Sequence, residues 1–199
     1  MWMDKFGMNA YNHFQTEQEA AIDWTKTYYE QSDYVRFEWG SLIFKNIDAY
    51  GNTYFTYTWG VYGIEPHTVT PEEARKFVPA GATVVASIHS HPCVGEGSDE
   101  FSNNDRKLVE NKIYNKAYMA TRGDKGVDLM VYHKKTDGKR KYYGVSVVSQ
   151  GIQCYKVTES HKARLHDAFI NRWGNHLLTD CNADFNCKNL VWPWEYKGR

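Results

Sequence analysis

A short apolar run that ends in two histidines does most to limit what this chain can become. Ala82-Thr-Val-Val-Ala-Ser-Ile88 reads as a buried strand, and it runs directly into His89-Ser90-His91-Pro92. Side chains on a strand alternate between faces, so His89 and His91 point the same way. That face offers two imidazole nitrogens to one metal ion. Farther on, Ser102-Asn-Asn-Asp105 supplies an aspartate that can act as a third ligand and leave one tetrahedral position open. Three protein ligands plus a water is the arrangement of a catalytic zinc, whereas structural zinc takes four protein ligands.

The rest of the chain predicts a frame for that strand end. Residues 17–32 have the spacing of an amphipathic helix, with Ala20, Ala21, Trp24, Thr27 and Tyr28 on its buried face. Thr16 is the expected N-cap, and Glu19 completes a capping box. Tyr34–Lys45 and Thr53–Trp59 read as strands joined through a turn-rich segment. Pro71–Phe77 reads as a short helix capped by Thr70. The histidine strand follows at 83–90, then a helix from Asn103 to Tyr114 and strands at 117–121, 127–133 and 141–148. This order predicts an α+β or α/β fold, a mixed sheet with helices packed on it. Gly151 marks a change of composition. Beyond it we expect a helix from Lys156 to about Trp173 and then an irregular tail, packed on the core as an appendage.

Composition removes several functional classes. The 199 residues suffice for one domain with a proper core. Basic and acidic residues balance at 24 each, so no electrostatic footprint for nucleic acid is expected. Lys134, Lys135, Lys139, Arg140 and Lys141 surround Asp137-Gly138 and read as solvated strand ends beside a hairpin turn. No apolar run is long enough to span a bilayer, and the first residues carry no apolar signal region. Of the four cysteines, Cys93, Cys154, Cys181 and Cys187, only the last two are spaced to close a small loop, as a disulfide or as reduced thiols. The many tyrosines and tryptophans are expected in the core or at its edge.

A hydrolytic zinc needs a carboxylate held near the metal without binding it, to move the water's proton. Glu38 stands in the mostly apolar stretch Val35-Arg-Phe-Glu-Trp-Gly-Ser-Leu-Ile-Phe44, where an acid is costly unless it is exposed or functional. Ser102 and Asp105 have a plainer reading too, as the N-cap and N3 residue of the helix they begin.

Taken together, Glu38, His89-Ser-His91-Pro and Ser102-x-x-Asp105 resemble the signature of the JAMM (MPN+, JAB) metalloproteases, over roughly residues 15–150. Glu38-Trp-Gly-Ser-Leu-Ile is similar to the family's glutamate strand, about fifty residues before His89. The tighter likeness is to JAB-like domains at the C-termini of bacterial polymorphic and Rhs-type toxins, through Glu19-Ala20-Ala21 and Phe101-Ser102-Asn-Asn-Asp105. Two features depart from the pattern. Ten residues separate His91 from Ser102, a longer loop than the family's usual one, and it contains Glu96, Asp99 and Glu100 as rival carboxylates. The tail beyond residue 150 has no counterpart.

The resemblance implies a JAB/MPN-like, cytidine deaminase-like domain over 1–150, with 151–199 as an extension. It implies Zn(II) on His89, His91 and Asp105, with Glu38 as general base and Ser102 as hydrogen-bond donor to the developing oxyanion. The expected reaction is hydrolysis of a peptide or isopeptide bond in a protein or peptide substrate. The expected setting is a toxic effector module for bacterial antagonism. It would be delivered into target cells within a larger secreted polypeptide and countered by a cognate immunity protein. Alternatives are a deubiquitinase-like isopeptidase, a peptidoglycan-peptide amidase, or a metal-free MPN-type scaffold. Other features fare worse. Asp180-x-Asn182-x-Asp184-x-Asn186 lacks the glycine and closing glutamate of a calcium loop. His161 and His166 do not share a helix face, and Cys93 reads as incidental.

Overall fold

The computed structural model describes residues 12–35, 37–62, 69–92, 99–136, 138 and 140–153. The expected helix after Lys156, the Cys181–Cys187 pair, the acidic loop at 180–186, His161, His166, Cys93 and Glu96 all lie outside the described residues. The fold is mixed α and β. Helix α1 (Glu17–Val35) leads into strands β1 (Trp39–Ile47), β2 (Thr53–Tyr57) and β3 (Val61–Tyr62). A 3-10 turn (Pro71–Phe77) precedes β4 (Thr83–His91), helix α2 (Asn103–Glu110), β5 (Lys116–Gly123), β6 (Gly126–Thr136) and β7 (Lys141–Ile152).

Six strands form a mixed sheet in the order β2-β1-β4-β5-β6-β7, and β3 pairs with β1 off that path. Only β4 and β5 run parallel; the other named pairs are antiparallel. Parallel neighbours need a crossover connection, and α2 lies within it. That unit brings the C-terminal end of β4 and the N-terminus of α2 to the same end of the sheet, where open α/β sheets commonly bind ligands.

One face of the sheet is covered by α1. Its Ala20, Ala21, Trp24 and Tyr28 are fully buried against Ile43, Tyr57, Ile88, Tyr118 and Leu129, and Thr27 is half-buried. The Trp24 indole Nε1 donates to Ser41 Oγ at 2.7 Å, so this large ring enters the core without an unpaired polar atom. The expected capping box is present: Thr16 Oγ1 accepts from the Glu19 amide at 3.1 Å, and Glu19 Oε2 accepts from the Thr16 amide at 3.0 Å. On the opposite face, Phe101, Val109, Ala117, Met119 and Tyr132 pack together beneath α2. Leu42, Val61, Ala74 and Tyr114 form a third cluster beside the 3-10 turn.

Several boundaries differ from the sequence reading. Helix α1 continues to Val35 and β1 begins only at Trp39, because no glycine or proline stops the helix between Gln31 and Phe37. Thr70 holds the N-cap position of the 3-10 turn, but its side chain makes no capping bond; Pro71 at the first position has no N–H to cap. Helix α2 ends at Glu110, since Lys112 takes a left-handed φ of 59° and turns Tyr114 back into the core. The Lys134–Lys141 region is a hairpin between β6 and β7, with Gly138 at φ 80°.

Candidate metal centre

Four segments meet at the end of β4. Alternation on that strand sends Ile88 into the α1-side core and His89 and His91 to the other face. His89 is 3% exposed, so its ring is held by protein on nearly every side. Its Nε2 lies 3.0 Å from His91 Nε2 and 3.5 Å from Asp105 Oδ1. Ligand atoms of His89, His91 and Asp105 all lie within 4.8 Å of one another. Two imidazole nitrogens that close cannot both present lone pairs to each other; a proton or a cation must sit between them. With an acidic oxygen beside them, the three side chains can hold a metal ion.

The ring orientation of His89 is fixed from behind by a hydrogen bond to the Tyr118 backbone on β5. Nε2 faces His91 and Asp105. A metal-binding histidine ordinarily has a supporting partner of this kind. The Phe101 ring stands edge-on to His89, with centroids 6.2 Å apart, and shields the centre from the α2 side.

Asp105 reaches the centre because Ser102 begins α2. Ser102 Oγ accepts from the Asp105 amide at 3.3 Å, and Asp105 Oδ2 accepts from the Ser102 amide at 2.8 Å. The capping box anticipated from the sequence is therefore complete, and Oδ1 remains free to face His89. The Ser102 hydroxyl donates to Asp105 Oδ2 at 2.6 Å and is exposed to solvent. Burial acts to raise the Asp105 carboxyl, but the charge of His89, hydrogen bonds from His89 and Ser102, and the charge of His91 outweigh it. The acid is held well below the usual carboxylate range. Burial in turn disfavours charge on His89, yet Asp105, Glu38 and the Tyr118 backbone together raise its pKa.

Glu38 lies just before β1, 8% exposed, with Oε1 3.6 Å from His91 Nε2. Burial is the main cause that pushes its carboxyl up to about 7. His89 opposes the rise, Asp105 adds to it, and a hydrogen bond with the Val69 backbone opposes it. The carboxylate is thus adjacent to the histidines and separate from the Asp105 ligand position. Of the rival acids, Asp99 and Glu100 are exposed, and neither belongs to the three-residue group.

Three supporting features were not anticipated from the sequence. The Val69 backbone reaches Glu38 because Gly40 has no side chain: a Cβ there would meet Val69 Cγ2 at 3.0 Å and Pro71 Cγ at 3.1 Å. The Tyr118 backbone holds His89, and Ser90 faces away from the histidines and bonds the backbone beside Glu38. The glycine two residues after the glutamate was a visible signal. Backbone partners have no signature in side-chain type. In comparisons with protein-family models and with curated proteins, the chain matches none. Among the described residues no helix is long and apolar enough to cross a membrane.

Proposed function

We propose that this chain is a zinc-dependent metalloprotease of the JAMM type, hydrolysing a peptide or isopeptide bond. The observation that carries the reading is the position of Glu38, a buried carboxylate 3.6 Å from His91 and beside a His-His-Asp group. Zinc suits the donor set of two imidazoles and one carboxylate. At metal–ligand distances of about 2.0–2.2 Å, neighbouring corners of a tetrahedron lie roughly 3.3 Å apart. The 3.0 and 3.5 Å separations at His89 bracket that value.

Bound zinc would supply a Lewis acid that lowers the pKa of water and polarises an amide carbonyl. The chain's own groups would do the rest. Glu38 accepts one proton from the attacking water as the oxygen joins the acyl carbon. It then returns that proton to the amine nitrogen as the C–N bond breaks. Its burial and its place beside His91 suit it to both transfers. Ser102, solvent-facing at the edge of the centre, would turn its hydroxyl from Asp105 to the carbonyl oxygen as negative charge develops there. Phe101 and the surrounding core keep bulk water from His89.

The biological setting we propose is a toxic effector module carried by a larger delivered polypeptide, with a cognate immunity protein as partner. Its support is the likeness of Glu19-Ala20-Ala21 and Phe101-Ser102-x-x-Asp105 to toxin-borne JAB-like domains. Metal analysis tests the chemistry: the purified protein should hold about one zinc per chain, lost in the His89→Ala, His91→Ala double variant. Zinc-free wild type after growth in zinc-supplemented medium overturns the reading. Comparing protein termini in cells expressing wild type or Glu38→Ala then identifies the bonds cleaved.

A further inference from the structure

We infer that Ser90 and Ser32 form a buried hydroxyl pair that positions Glu38 against the histidines. Glu38 lies outside the regular ladder: β1 starts at Trp39, and its pairing to β4 begins with Gly40 opposite His89. The peptide groups on either side of Glu38 are held by side chains instead. Ser32 Oγ on α1 donates to the Phe37 carbonyl at 2.6 Å. The Trp39 amide donates to Ser90 Oγ on β4 at 2.9 Å. The two hydroxyl oxygens are 2.6 Å apart, and both serines are 0% exposed.

Proton counting gives this pair a direction. Ser32 has one proton, and Phe37 takes it. Ser90 must therefore donate to Ser32 Oγ while accepting from Trp39. The Trp39 carbonyl, 3.4 Å from Ser90 Oγ, is the weaker option for that same proton. The result is a closed chain, Trp39 N–H to Ser90 to Ser32 to Phe37 C=O, that brackets Glu38 with every hydroxyl used. Ser90 sits between His89 and His91 but faces α1, so the strand that carries the ligands also grips the segment that carries the acid. Tyr29 on α1 adds a long contact, its hydroxyl 3.5 Å from the His91 carbonyl. Helix α1 thus braces ligand strand and base segment together, behind the centre.

Ser90 and Ser32 are positioning residues in this account, since neither touches the centre itself. The activity arm of the test rests on the metalloprotease reading; the exchange arm does not. Ser90→Ala, Ser90→Thr and Ser32→Ala are compared with wild type, each alone and with Glu38→Gln. In Ser90→Ala, the Trp39 amide should exchange with solvent deuterium at least tenfold faster, on the order of a lost buried hydrogen bond. Zinc affinity, measured by chelator competition, should be retained, because all three ligands remain. Glu38-dependent cleavage of a proteome-derived peptide library should fall by roughly ten- to a hundredfold, the scale of a small misplacement of a reacting group. Ser90→Thr should restore both exchange protection and cleavage, and Ser32→Ala should reproduce the loss if Ser90→Ala folds poorly.

With Glu38 already replaced by Gln, removing the Ser90 hydroxyl should cost no further cleavage, because its effect passes through Glu38. A second loss in that background, a fall in zinc affinity that parallels activity, or full activity in Ser90→Ala overturns the proposal. Wild type that cuts nothing in a Glu38-dependent way refutes the protease reading instead. In that event, Trp39 exchange unchanged by Ser90→Ala refutes the positioning role, and faster exchange supports it.

Discussion

Asp105 presents Oδ1 to His89 Nε2 at 3.5 Å while its Oδ2 closes the capping box of α2. One carboxylate therefore anchors a helix start and completes a group able to hold a metal ion, and the two tasks can be separated by mutation. Ser102→Ala removes the hydroxyl from the cap and should cost about 1 kcal/mol of stability with zinc content retained. Asp105→Ala should lose both cap and zinc. Thermal unfolding with parallel metal analysis checks the pair, and zinc retained in Asp105→Ala would exclude Asp105 as a ligand.

Glu38→Gln keeps the shape of the side chain and removes its capacity to take a proton. Zinc content should be unchanged, and cleavage should fall by roughly 10²- to 10⁴-fold, the range for loss of a general base. Metal analysis and cleavage of a peptide library by the same preparation decide it. Loss of zinc would instead make Glu38 a ligand.

The metal-free protein should become less stable as pH rises. Glu38 has its carboxyl raised from 4.5 to about 7, so the folded state binds its proton more tightly than the unfolded chain does. Its contribution is full below pH 4.5 and is lost as pH climbs through about 7, on the order of 3 kcal/mol in all. His89, also raised, is fully stabilising below 6.5 and loses its contribution as pH rises beyond that. Asp105 has the opposite sign, but its window lies below 3.8, so it does not oppose the trend near neutrality. Denaturant unfolding of chelator-treated protein at pH 5 and 8 reads the difference. Glu38→Gln should flatten much of it, and equal slopes in the two proteins would contradict the assignment.

Gly40→Ala is expected to act on the centre through Val69. The added methyl would meet Val69 Cγ2 and Pro71 Cγ at 3.0 and 3.1 Å, and the Val69 backbone is what bonds Glu38. An overpacking cost of about 1–3 kcal/mol should accompany reduced cleavage with zinc retained. Wild-type stability and cleavage together would show that the 69–71 segment yields freely.

Trp24→Ala should be among the most damaging core changes, at about 3–5 kcal/mol. It empties the space between α1 and the sheet and removes the donor to Ser41. Equilibrium unfolding measures it, and a cost below about 1 kcal/mol would mean that α1 packs by other contacts.

Much of this arrangement was legible in the sequence because its signals are local. The His89-x-His91 alternation, the Thr16/Glu19 and Ser102/Asp105 boxes, and the apolar face of α1 each depend on residues a few positions apart. What the sequence hid depends on distant backbone. Nothing in Tyr34-Val35-Arg36 marks the end of α1, since aromatic and β-branched residues suit a strand equally well. Ser90 between two histidines gives no hint that its hydroxyl serves Trp39, and Val69 meets Glu38 through its backbone. The His89–Tyr118 bond is hidden for the same reason.

The antiparallel contact between β1 and β4 also makes the centre depend on long-range closure of the chain. His89 and His91 are neighbours in any extended stretch of chain, so a newly made polypeptide already presents a nitrogen pair. Asp105 comes within reach once α2 forms, a short loop away. Glu38 is the more distant member, since some fifty residues must close into a loop before its segment lies beside Ser90. A chain in which that closure has not occurred would keep the three candidate ligands near one another and lack the buried acid beside them. The full group of four side chains therefore exists only where β1 and β4 have paired.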